Sequence, residues 1–86
     1  MKHAGPTALD ALEPLLEELR SISTLKERSR GIFYVKSRAF LHFHEDPVGV
    51  FADIRDQEGA DFDRFKLDTP EAWPRLIALA RARSAG

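Results

Sequence analysis

At Gly31 the hydrophobic pattern changes period, and that change limits the folds open to the chain. Before it, Leu9, Leu12, Leu16 and Leu19 recur at three- and four-residue steps, with Leu15 and Ile22 widening the stripe. This is the spacing of a helix with one buried face. After it, apolar residues alternate with others, as they do along strands whose two faces differ. Four strands are predicted, over 32–36, 39–45, 48–55 and 62–67, punctuated by Pro47 and by the polar stretch 56–61. Links this short join only antiparallel neighbours. A second helix is predicted after Asp68, with Thr69 as N-cap, Pro70 in the first position, and Trp73, Leu76, Ile77 and Ala80 on its apolar face. The expected fold is therefore α+β: an N-terminal helix, a four-stranded antiparallel β-meander and a C-terminal helix, packed as a two-layer sandwich with both helices on one face.

Local signals refine the ends. Asp10 with Glu13 three residues later forms a candidate capping box, and Pro14 belongs in a first turn, so the first helix is placed to start near Asp10. Residues 1–6 read as a flexible tail, and Pro74 as a bend near the start of the second helix. The whole of 1–86 is expected to be one domain, too short to enclose a deep active site. No apolar run approaches the roughly 18 residues of a membrane span, and the N-terminus lacks the apolar core of a signal peptide. The chain has no cysteine, which removes disulfides and thiolate chemistry and fits a cytoplasmic protein.

Alternation sorts the strand residues into two sets. Phe33, Val35, Leu41, Phe43, Val48, Val50, Ala52, Ile54, Phe65 and Leu67 form the expected core face. Ile32, Tyr34, Phe40, His42, His44, Phe51, Asp53 and Arg55 fall on the other. Two short helices cover only one face of a four-stranded sheet. The second face is therefore expected to be open, and an open face carrying Tyr34, Phe40 and Phe51 is one that associates with something. The leading functional expectation is a small non-enzymatic module that binds a protein partner, or its own copy as a homodimer. It would do so through Tyr34, Phe40, His42, His44, Phe51 and Asp53.

Two alternatives concern chemistry. His42 and His44 share one strand face and Asp46 has the same parity, so the His-x-His-Glu-Asp segment could ligate a divalent metal through His42, His44 and Asp46. His42 with Asp53 is the one pair suited to acid–base work, but no nucleophile stands beside it, and no catalytic residue is assigned. The charges are also segregated: residues 21–42 carry a net +4 and residues 43–63 a net −6, in a chain whose total is −1. Lys26, Arg28, Arg30, Lys36 and Arg38, with Tyr34 and Phe40 among them, make a small candidate nucleic-acid surface. The acidic strands that follow oppose a polyanion. No other cofactor is implied.

The run KERSRGIFYVKSRAFLHFHEDPVGVFADIR, from Lys26 to Arg55, resembles a group of short bacterial proteins of unknown function. It covers about a third of the chain. In layout alone the chain is similar to MmcQ/YjbR-like proteins, which combine an antiparallel sheet with flanking helices and for which DNA binding has been suggested. That similarity implies the fold and assigns no residue a role.

Overall fold

The computed structural model describes residues 2–85. In chain order the elements are β1 (Lys2–His3), α1 (Pro6–Ala11), α2 (Glu13–Arg20), β2 (Lys26–Ser29), β3 (Ile32–Val35), β4 (Arg38–Asp46), β5 (Gly49–Arg55), β6 (Phe62–Lys66) and α3 (Ala72–Ser84). The architecture is α+β with one antiparallel sheet in the order β2-β3-β4-β5-β6, and β1 added beside β4. The four expected strands form with small shifts at their ends. The two additional strands, β1 and β2, lack an alternating apolar pattern. β2 reads Lys-Glu-Arg-Ser and is a strand because β3 offers it an edge to pair with. Its charged side chains suit an outer strand, where they discourage pairing with another chain.

The N-terminal stretch is not a loose tail. Lys2 and His3 pair with Glu45 and His44, Ala4 N–H donates to Phe43 O at 3.0 Å, and Gly5 N–H donates to Glu45 Oε2 at 2.5 Å. The helix starts four residues earlier than expected, with Gly5 as N-cap and Pro6 in its first turn, where the missing N–H costs nothing. Pro14 then divides it. It has no N–H to offer the Asp10 carbonyl, and its ring crowds that carbonyl. The chain breaks at Leu12 (ψ 1°) and restarts as α2, with Pro14 in the new first turn. The Asp10/Glu13 capping box does not form; both carboxylates instead receive Arg30, at 2.8 Å each. Thr69 does not cap α3 through its side chain, and Glu71 occupies that place. Pro74 falls in the first turn of α3, where it removes no intrahelical bond.

Leu9, Leu15, Leu16 and Leu19 of the first two helices, with Leu12 at the break between them, meet Phe33, Leu41, Phe43, Ala52 and Ile54 of the sheet and Leu76 and Ala80 of α3 in one buried cluster. Two members of the expected faces change places. Val48, assigned to the core, is 67% exposed, because Asp46 pairs with Gly49 and leaves Pro47-Val48 as a two-residue turn. Phe40, assigned to the open face, is buried at 5% exposure. Between β3 and β4 the register runs Phe33–Leu41 and then Tyr34–Ala39, so Phe40 is the extra residue of a bulge. A bulge places two consecutive residues opposite one and locally breaks the alternation, and Phe40 joins Leu41 in the core.

Candidate functional site

β4 supplies the site's frame. His42 and His44, two residues apart, project from the sheet face that carries no helix, and the pairing of β1 with β4 sets His3 opposite His44. The three imidazoles are in mutual contact. Ring centroids lie 4.7 Å apart for His3 and His44, 4.9 Å for His42 and His44, and 5.8 Å for His3 and His42. His42 Nδ1 and His44 Nε2 share a 2.9 Å hydrogen bond. One nitrogen from each of the three rings can be chosen so that all lie within 4.8 Å of one another. Phe62 closes one side, its ring 5.0 Å from that of His42 in an edge contact.

β5 adds the charge. Asp53 is cross-strand partner to His42 on one side and Arg64 of β6 on the other. It is buried on the central part of the sheet, and Arg64 grips it with two bonds of 2.7 and 2.8 Å. That guanidinium holds the Asp53 carboxyl below the usual carboxylate range, against the opposing effect of burial. Asp53 Oδ2 also lies 3.3 Å from His44 Nε2. Burial pushes the His42 imidazole below its ordinary value, with further repulsion from His44 outweighing the pull of Asp53. A neutral imidazole keeps a lone pair free for a Lewis acid or a proton donor.

Proton placement in the pair follows from its surroundings. A proton on His44 Nε2 faces two acceptors, the Asp53 carboxylate and His42 Nδ1. His44 Nδ1 is buried with no hydrogen-bond partner, so a proton there would be a stranded donor. The arrangement favours Nε2–H on His44 and a bare Nδ1 on His42.

Asp46 does not join this group. Its Oδ1 accepts Val48 N–H at 2.9 Å and caps the β4–β5 turn, a use typical of aspartate at a turn. His3 takes the third place. It is the remaining histidine of a chain that has three, and that count was the available signal for it. Of the residues expected on the open face, His42, His44, Asp53, Tyr34 and Phe51 lie there, the last two half-buried, and Phe40 does not.

The basic residues divide. Lys26, Arg28, Lys36 and Arg38 border one cleft with Arg55. Arg28 stacks over the Tyr34 ring at 4.9 Å. Arg30 points away, held by Asp10 and Glu13 against the helices. No helix among the described residues is long and apolar enough to cross a membrane. Comparison with protein-family models, curated proteins and solved structures gives no match to this chain.

Proposed function

We propose that the chain is a divalent-metal-binding module whose ligands are His3, His42 and His44. One observation carries the reading: two strands distant in sequence deliver three imidazoles whose nitrogens lie within 4.8 Å of one another. Imidazole suits zinc, copper and nickel. Zinc–nitrogen bonds of about 2.0–2.1 Å in tetrahedral geometry separate the ligand nitrogens by about 3.3 Å. His42 Nδ1 and His44 Nε2, now at 2.9 Å, need to open by only a few tenths of an ångström. His3 sits on an exposed two-residue strand, its ring centroid 4.7 Å from that of His44. Ligation through His44 Nε2 requires its proton to move to Nδ1, a change of tautomer with no proton released, and the buried Nδ1–H it creates opposes binding. Asp53 contributes negative charge beside the ion, and Arg64 offsets part of it.

Isothermal titration of the untagged chain with zinc chloride tests the reading. One equivalent should bind, with His42→Ala and His44→Ala each lowering affinity about a hundredfold and His3→Ala about tenfold. Absence of binding, or binding that survives both β4 substitutions, overturns it.

A second reading keeps the partner or second copy on the helix-free face. Its support is that Tyr34, Phe51 and Phe62 stand half-buried there with no helix over them. Sedimentation across a range of protein concentrations checks the homodimer form; a monomer throughout, in the presence and absence of zinc, refutes it.

A further inference from the structure

We propose that a second site, separate from the histidines, binds a small anionic molecule: a phosphate or carboxylate carried on an apolar body. The site is the cleft between the β3–β4 hairpin, the β5–β6 loop and the C-terminal end of α3, with a volume of about 1140 Å³. Val35, Ala39 and Phe40 give it an apolar floor, and Lys26, Arg28, Lys36, Arg38 and Arg55 give it a cationic rim.

What sets this rim apart is that unpaired cations cluster on it; among the described residues, Lys2, Arg75 and Arg81 also lack a carboxylate within 4 Å but lie outside the cleft. Arg20, Arg30, Arg64, Arg83 and Lys66 each have a carboxylate within 4 Å. Among the described residues, none of the five rim cations does. Arg38 and Arg55 instead donate to the same acceptor, the Gly59 carbonyl, at 2.7 and 3.1 Å. Two guanidinium charges converging on one neutral oxygen repel each other, and an anion placed between them relieves that repulsion. The acids nearest the rim do not supply it. Glu27 is taken by Arg20 and by Gly31 N–H, the Asp56 carboxylate accepts Ala60 N–H within its own loop, and Glu58, at the cleft's edge, has no cation within 4 Å among the described residues.

The hairpin tip adds a second, independent sign. Lys36 sits at φ 58°, a left-handed conformation that a two-residue hairpin normally gives to Asn or Gly. The chain holds a cation at the one tip position where a long side chain is strained, and that position borders the cleft. The bulge that buries Phe40 builds the floor, so the fold irregularity and the cleft share one cause.

The ligand's size follows from the walls. The β5–β6 loop presents Asp56 and Glu58 at the cleft, and a polyanion running through would pass both. A compact ligand with one anionic group avoids them. Apolar area beneath a charged rim favours a ring or short chain attached to that group.

Amide-resolved NMR titration of the intact chain at low salt tests this, with phenyl phosphate and benzoate as probes and phenol as neutral control. Either anionic probe should shift Lys36, Ser37, Arg38 and Gly59, and the tighter of the two identifies the head group. Phenol should not. Lys36→Asn removes a cation while tolerating the positive φ, and Arg38→Gln removes one of the converging pair; each should weaken binding at least fivefold. Three results overturn the proposal: no shifts up to about 10 mM probe, affinity unchanged in both variants, or a single-stranded oligonucleotide saturating the same amides at about a hundredfold lower concentration, which would make the cleft part of a polynucleotide surface.

Discussion

Replacing Asp53 by Asn tests the electrostatic centre of the sheet. The carboxylate is 6% exposed and accepts two bonds from Arg64 and a third contact from His44. Asn keeps the shape and one acceptor but loses the charge. Charge-assisted bonds contribute about 1.5–3 kcal/mol each where both partners are desolvated. Arg64 is half exposed, so water replaces much of what it loses, and burying a carboxylate itself costs free energy that Asn avoids. The net expectation is a loss of about 1–2 kcal/mol at pH 7, or roughly 5–15 °C in Tm for a chain of this length. The variant should also flatten the acid limb. The folded-state pKa of Asp53 is depressed, so its stabilisation is fully present above the unfolded carboxylate value of about 3.9 and disappears as pH falls through the folded value. Urea unfolding followed by Trp73, the chain's single tryptophan, measures both quantities. At pH 7 the wild type should exceed Asp53→Asn, and the difference should shrink towards zero as pH falls below 4. Equal stability at pH 7, or a gap that persists in acid, refutes the charge argument.

Phe40→Ala should cost about 3–5 kcal/mol, as core aromatics do, while Tyr34→Ala should cost well under half of that; equal losses in urea unfolding would place Phe40 back on the open face. Gly31→Ala should destabilise by about 1–3 kcal/mol, because φ is +80° and a Cβ would meet Leu9 Cδ2 at 2.7 Å; an unchanged midpoint contradicts the close packing of that turn. Arg64→Ala removes the cation that offsets Asp53 and should tighten zinc binding several-fold by calorimetry; weaker binding would assign Arg64 a positioning role in place of an opposing charge.

Period and punctuation in the sequence were enough for the α+β class, the order of the four main strands, the second helix and most of the core. They worked because hydrophobic alternation and the 3.6-residue stripe are properties of the chain read a few residues at a time. The same local reading placed His42 and His44 on one face and paired His42 with Asp53. It failed wherever pairing decided the outcome. β2 is a charged segment made into a strand by its neighbour, and β1 carries no pattern at all. Phe40 was assigned by parity, and one bulge reversed it. Asp46 had the right parity for a ligand and was claimed by the turn it caps. His3 has no sequence signal of position; it reaches His44 only because the N-terminal strand docks on β4. Four of the five rim cations were visible as a basic run, but Arg30 left that run for the helices and Arg55 joined the rim from another strand. Composition and periodicity are local and survive in the sequence. Register, bulges and the choice of ion-pair partner are competitions between segments far apart in the chain, and only the folded structure holds their outcome.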